Sequence, residues 1–247
     1  MSFTDAALAR RIADTAGRLL LSLQDAALFE KKSLGVAGDQ VAHRFIMEAL
    51  AAQRPQDAVL SEEGVADPAR LKSERVWIVD PLDGTREYSE HRTDWAVHVA
   101  LTLKGVPVAG AVALPGLDLT LSSDLPPALP PAHRGAPRIL VSRTRPPKEA
   151  EAVAKRLGAT LIPMGSAGAK SMGVLRGEAE AYIHSGGQHE WDSCAPVAVA
   201  TAAGLHASRI DGSPCLYNKP DTSMPDLVIC RKELAETILG ILAEMRN

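Results

Sequence analysis

At 247 residues the chain is long enough to bury a sizeable core, as one large domain or two smaller ones. A formal net charge of −3 supplies no basic field for a nucleic-acid polymer, so an anionic ligand must be drawn by local cations or by bound metal. No run approaches the roughly 18 uninterrupted apolar residues of a membrane span, and charged residues precede any apolar run at the N-terminus, unlike a signal peptide. Cys194, Cys215 and Cys230 are odd in number and lack C-x-x-C spacing, so they read as free thiols of a reducing cytoplasm.

Thr4 to about Gln24 reads as a helix, capped by Thr4, with Leu8, Ile12, Ala16, Leu19 and Leu23 at helical spacing. Residues 28–37 read as a polar connection. Asp39 to about Ala52 is a second amphipathic helix with Val41, Phe45, Ile46 and Leu50 inward; Gly38-Asp39 sits at its start and Asp39 reads as its N-cap. Ala58-Val59-Leu60 is a short strand running into Ser61-Glu62-Glu63-Gly64. Two adjacent glutamates are by themselves solvated charge. Here they end a strand shortly before the next one, which places two strand ends side by side.

That next strand carries the stretch of greatest chemical content. Val76 to Val79 is a short apolar run that ends on Asp80, and proline cannot extend a ladder, so the strand is expected to stop at Pro81. Asp83-Gly84 is a turn pair, and Thr85-Arg86-Glu87-Tyr88 can begin a helix with its first N–H groups unpaired. Two carboxylates three residues apart then sit on a bend at the carboxyl end of a strand, where open α/β sheets bind ligands. Hard divalent cations such as Mg²⁺ take such oxygens. Asp80 can bridge two ions, Asp83 can hold one, and the Leu82 carbonyl can add a neutral oxygen. The Gly84 and Thr85 amides form a phosphate cradle at the helix start. The alternative is an Asx-type turn whose acids only cap a helix.

Asp94–Leu103 and Pro107–Leu114 are β-rich and split by the hairpin signal Lys104-Gly105; Leu119–Ser122 is a further strand. The proline-rich residues 124–137 are patternless. They suggest an N-terminal α+β subdomain over 1–125, a linker over 126–137 and a C-terminal α/β subdomain over 138–247. In that second half, strands are expected over Arg138–Ser142, Thr160–Ile162, Ala179–Ile183, Leu205–Arg209 and Leu227–Cys230. Helices are expected over Lys148–Leu157, Ser166 to about Arg176, Asp192–Ala203 and Leu234–Met245. Gly165-Ser166-Ala167-Gly168-Ala169-Lys170 lacks the spacing of a nucleotide-binding P-loop, and its small residues alone indicate close packing. Glu190-Trp191-Asp192-Ser193-Cys194-Ala195 adds a third acidic element; His184 and His189 nearby lack a metal-ligand spacing and read as rim residues.

Asp80-Pro81-Leu82-Asp83-Gly84-Thr85 after an apolar strand resembles the metal-binding signature of the inositol monophosphatase superfamily, and Arg86-Glu87-Tyr88 is similar to the DGT-K/R-E-F/Y form of its 3'(2'),5'-bisphosphate nucleotidase (CysQ-type) branch. The Glu62-Glu63, Gly165–Lys170 and Trp191-Asp192 segments follow in the family's order. The resemblance implies a layered α-β-α-β-α sandwich of the inositol monophosphatase and fructose-1,6-bisphosphatase type, classed α/β (α+β). It implies two or three Mg²⁺ ions, held by Glu62, Asp80, the Leu82 carbonyl, Asp83 and Asp192. It gives Asp39, Glu63 and Thr85 the orientation of the attacking water. Substrate contacts fall to Glu62, Leu82, Asp83, Gly84, Thr85, Arg86 and Asp192, with Ser166 and Lys170 on the sugar or second phosphate.

The implied activity is lithium-sensitive hydrolysis of the 3'-phosphate of adenosine 3',5'-bisphosphate or its 5'-phosphosulfate form, in the cytoplasm. Inositol monophosphate or fructose 1,6-bisphosphate hydrolysis is the alternative, and a non-catalytic, metal-dependent ligand sensor the second. The expected partner is a phosphorylated small molecule, with no nucleic-acid polymer and no membrane; a homodimer is compatible with the sequence.

Overall fold

The computed structural model describes residues 3–65 and 67–245. Helix α1 spans Asp5–Asp25, one residue from the expected bounds, and Thr4 caps it by accepting from Ala7 N at 3.3 Å. Its inward stripe is Leu8, Ile12, Ala16 and Leu20; Leu19 faces solvent. Helix α2 spans Lys31–Gln53 and absorbs most of the residues expected as a connection. Its buried stripe, Leu34, Gly38, Ala42, Ile46 and Leu50, repeats every fourth residue, so Val41 is left exposed.

Ser33 caps the start of α2, accepting from Glu30 N at 3.1 Å, and close packing holds its early turns. A Cβ on Gly35 would stand 2.7 Å from Ser89 Oγ and 2.8 Å from Thr85 Cγ2, and one on Gly38 would stand 2.8 Å from Tyr88 Cε1. Each interior glycine costs a helix roughly 0.5–1 kcal/mol of propensity. In return α2 lies directly on the short helix α3, Thr85–Ser89.

Five strands form the first sheet in the order β1 (Ala58–Ser61), β2 (Arg75–Asp83), β3 (Ala96–Leu103), β4 (Val106–Leu114) and β5 (Leu119–Ser122). The β1–β2 pair is parallel and the others antiparallel. The second half supplies β6 (Arg138–Ser142), α4 (Lys148–Leu157), β7 (Thr160–Met164), α5 (Ala167–Leu175), β8 (Ala181–His189), α6 (Glu190–Ala202), β9 (His206–Ser208), β10 (Ser223–Cys230) and α7 (Lys232–Glu244). Its sheet runs β7-β6-β8-β10-β9, parallel across β7, β6 and β8 and antiparallel beyond.

Contacts between elements define five layers: α1 and α2, the first sheet, α5 and α6, the second sheet, then α4 and α7. One buried cluster joins both sheets through the middle helices, from Val76, Ile78 and Val112 to Met172, Val199, Leu140 and Tyr182. The proline-rich stretch is not a free tether. Leu129 packs on that core, and Pro130 O accepts from Arg231 Nη1 at 3.0 Å. No described helix is long and apolar enough to cross a membrane.

Candidate active site: carboxylates at a strand bulge

Strand β2 does not stop at Pro81; it continues to Asp83. The register against β3 shifts between Asp80, opposite His98, and Asp83, opposite Ala96, so β2 holds one extra residue there. A bulge leaves a residue unpaired, which is where a strand tolerates proline. It also changes parity. Asp80 and Asp83 would face opposite sides of a regular strand, and the extra residue lets their carboxylates converge. Carboxylate oxygens of Asp80, Asp83 and Asp192 lie within 4.8 Å of one another. Gly84, at φ +94°, then turns the chain into α3.

The parallel β1–β2 register pairs Ser61 with Val79, and Glu62 N donates to Val79 O at 3.2 Å. Glu62 therefore follows beside Asp80, and the two carboxyls are close enough to share a proton. Asp192 is the third residue of α6. Its Oδ2 accepts from His189 N at 2.6 Å in a reciprocal capping box, which fixes the carboxylate at the helix start. His189 stacks on Trp191 with ring centroids 4.8 Å apart.

Asp39 is not an N-cap. It lies in the third turn of α2, half-buried, and faces Thr85 across the Gly35–Gly38 contact. Thr85 Oγ1 is 3.4 Å from Asp39 Oδ1 and 3.2 Å from Leu82 O. One hydroxyl proton serves one of these acceptors at a time.

Asp83 is held by two hydrogen-bond donors and an ion-pair partner on a single oxygen. Its Oδ2 accepts from Ser166 Oγ at 2.5 Å and Gly168 N at 2.6 Å, and His98 Nε2 lies 3.2 Å away. The His98 ring is fully buried and its Nδ1 donates to Trp191 O at 3.0 Å. With Nδ1–H spent on a carbonyl, Nε2 faces a carboxylate favourably only when it too is protonated. Asp83 thus favours the imidazolium form of His98: burial opposes its charge, but the adjacent carboxylate overrides that and raises its pKa. Sequence reading missed His98. A lone histidine in an apolar strand carries no spacing signal, and only the register reveals its position.

Three of the residues expected to contact substrate have partners within the protein. Lys170 is 5% exposed, and its Nζ donates to Ser166 O at 2.5 Å and Gly165 O at 3.2 Å, above the Tyr182 ring. These bonds tie down the bend before α5. Ser166 spends its hydroxyl on Asp83 and also accepts from Ala169 N at 2.9 Å. Arg86 stands exposed on α3, ion-paired to Glu90 at 3.0 Å.

The electrostatics match an all-oxygen cation site. Burial and then Glu62, Asp83 and Asp192 push Asp80 well above the usual carboxylate range. Burial and Asp83 push Asp192 up to about 7, and burial with Glu63 and Glu62 pushes Asp39 up to about 7. Burial also raises Glu62. Asp83 is the exception: burial would raise it, but His98, Lys170 and Ser166 hold it below the usual range. Without a cation the cluster keeps protons; a divalent cation removes the repulsion that holds them. The donor set therefore fits a hard metal ion.

A pH dependence follows. Asp39 and Asp192 titrate near 7 in the folded chain and near 3.8 unfolded, so the folded state binds more protons between those values. Stability of the chelator-treated protein should fall as pH rises from about 4 to about 7. Mg²⁺ should raise the melting temperature more at about pH 8 than at about pH 5, because protons then compete less for the oxygens. Equal Mg²⁺ shifts at both values would contradict a carboxylate site.

Three comparisons bear on this arrangement. A family model described as "Inositol monophosphatase family" matches residues 6–125 and 131–246. A "3'-phosphoadenosine 5'-phosphate phosphatase" of Mycobacterium leprae is 46% identical over 256 residues, covering 98% of this chain and 94% of that protein. Among solved structures, inositol monophosphatase-II of Staphylococcus aureus superposes with a TM-score of 0.82 at 21% identity, covering 97% and 95% of the two chains. CysQ of Bacteroides thetaiotaomicron superposes with a TM-score of 0.77 at 26% identity, covering 92% and 97%.

Proposed function

Because the chain belongs to the inositol monophosphatase family, whose model matches nearly all of it, we propose that it is a Mg²⁺-dependent 3'-phosphatase of adenosine 3',5'-bisphosphate and its 5'-phosphosulfate form. The observation that carries this reading is 46% identity, across 98% of the chain, to a protein named for that substrate. Water adds to phosphorus, the bond from phosphorus to the 3'-oxygen breaks, and the products are the 5'-nucleotide and inorganic phosphate.

Glu62, Asp80 and the Leu82 carbonyl would hold one cation; Asp80, Asp83 and Asp192 would hold a second. Cations held there would supply polarisation of the phosphate and a lowered pKa for a bound water. Asp39, with its pKa near 7, would take the proton that the water gives up. Glu63 contributes by raising the basicity of Asp39. Thr85, donating to Leu82 O, keeps its lone pairs free to orient that water. Ser166 and Gly168 bond Asp83 Oδ2 and His98 pairs with it, which would leave Oδ1 for a cation. The thiols of Cys194, Cys215 and Cys230, all buried, suit a reducing cytoplasm.

The test is phosphate release from adenosine 3',5'-bisphosphate, inositol 1-phosphate and fructose 1,6-bisphosphate in parallel, each with EDTA and with Mg²⁺. The expected result is release dependent on Mg²⁺ and fastest on the nucleotide. Full activity in EDTA would remove the metal reading. Faster release from either sugar phosphate would remove the nucleotide one, and binding without release would indicate a sensor.

A further inference from the structure

Thr85 has a place in the proposed chemistry. Tyr88 has one in packing, edge-on to Trp95 at 5.0 Å with its hydroxyl donating to Leu20 O at 2.8 Å. Glu87, between them, has neither. It is 8% exposed, and its Oε1 accepts from Arg143 Nη2 at 2.7 Å. Arg143 follows β6, in the other half of the chain, and the same nitrogen is 3.0 Å from Glu90 Oε2. The ion pair thus clasps α3 to the second sheet.

What lies against this pair is the bend that holds Asp83. A Cβ on Gly165 would stand 2.6 Å from Glu87 Cδ and 2.9 Å from Oε1, so the bare backbone of Gly165 rests on the Glu87 side chain. Gly165 N donates to Asp94 Oδ2 at 2.7 Å, and Arg92 grips the same carboxylate at 2.6 and 2.8 Å. The next residue, Ser166, is held at φ +51°, a region a non-glycine residue enters only under constraint, and its hydroxyl meets Asp83. Contacts therefore run without a gap from Arg143 through Glu87, Gly165 and Ser166 to Asp83.

We propose that Glu87 and Arg143 are a positioning pair, which presses the Gly165–Ser166 bend onto α3 and so aims Asp83 at its cation. The inference rests on the metal reading given above. The physical case is that breaking a buried ion pair by removing one partner is strongly destabilising, so the side chain left behind rearranges. Remove Arg143 and the Glu87 side chain turns away or draws in water. Either change alters the surface on which Gly165 lies, and the donors on Asp83 Oδ2 shift with it. The pair also gives Glu87 a task distinct from that of the exposed Arg86 before it.

The experiment uses Arg143→Met, Glu87→Gln, the double variant and the conservative Arg143→Lys in the full chain. Two quantities are read: the Mg²⁺ concentration for half-maximal phosphate release, and exchange of the Gly168 amide in metal-free protein by NMR. Each single variant should raise half-saturating Mg²⁺ by about tenfold while the KM for adenosine 3',5'-bisphosphate moves by less than about threefold. Gly168 exchange should speed by about tenfold or more. The double variant should be no worse than the worse single one, and Arg143→Lys should recover part of both readouts. A lower melting temperature with unchanged Mg²⁺ dependence and unchanged Gly168 exchange would make the pair merely structural. A tenfold rise in KM alone would make Arg143 a substrate ligand. Either outcome overturns the proposal. Wild-type protein active in EDTA would instead sink the metal reading, and Gly168 exchange would still decide whether the pair positions Asp83.

Discussion

Asp83→Asn should lower kcat on the order of 10²-fold or more at saturating Mg²⁺ while the protein stays folded. An asparagine has no good orientation at this position. With its amide nitrogen at Oδ2 it would meet the fixed donor Gly168 N and lose the ion pair with His98 Nε2. Turned over, the nitrogen would occupy the edge proposed for the cation. Asp80→Asn should cost a comparable factor in kcat, yet the two variants should differ in stability when metal is chelated. Asp83 has its pKa depressed, so its charge stabilises the fold at neutral pH and is lost as pH drops. Asp80 has its pKa raised, so its ionisation opposes folding. At about pH 7.5 in EDTA, Asp83→Asn should therefore melt lower than wild type and Asp80→Asn at the same temperature or higher. Turnover of Asp83→Asn near the wild-type value would reduce Asp83 to a turn former. Equal melting losses for both would show that the His98 contact carries no weight.

Gly168→Ala is the second large effect expected, and it acts without removing any charge. The added Cβ would overlap His98 Nε2 and stand 2.9 Å from the Cβ of Ala96. Neither neighbour can yield easily. Ala96 belongs to the central strand β3, and His98 is fully buried, with Nδ1 bonded to Trp191 O and Nε2 3.2 Å from Asp83 Oδ2. Overpacking of this kind costs about 1–3 kcal/mol. It would also withdraw the Gly168 N–H from Asp83, so a fall in kcat of at least about tenfold should accompany the loss of stability. Gly240, on α7, is the control. A Cβ there meets nothing within 4 Å, so Gly240→Ala should stabilise the protein by about 0.5–1 kcal/mol through helix propensity, with kcat unchanged. Thermal melts and steady-state rates on the two variants decide it. If Gly168→Ala matched Gly240→Ala in both readouts, the close approach of α5 to His98 would be without consequence.

Asp80 and Asp83 could be picked out by reading along the chain, because they mark a strand end and a turn; Glu62 and Asp192 are singled out by the resemblance to a family. A short apolar run ends on an acid, a turn pair follows, and apolar spacing changes from period 2 to period 3.6. The same local signals located α1, β5, β6 and α4 to within a residue or two. What they could not supply was anything decided by a partner distant in sequence. Pro81 stays in β2 because β3 accommodates a bulge, a property of two strands together. The early turns of helix α2 are held because α3, some 50 residues later, offers a surface that only glycine can approach. Lys170 reads as a free cation in one dimension, yet in three it is spent on three backbone carbonyls of its own bend. His98 and Arg143 have no motif at all, and each acquires its role from a carboxylate on another element. Local pattern fixes which way a side chain can face, because backbone geometry repeats over a few residues. Which charge meets which depends on register and layer packing, and these the tertiary structure alone decides.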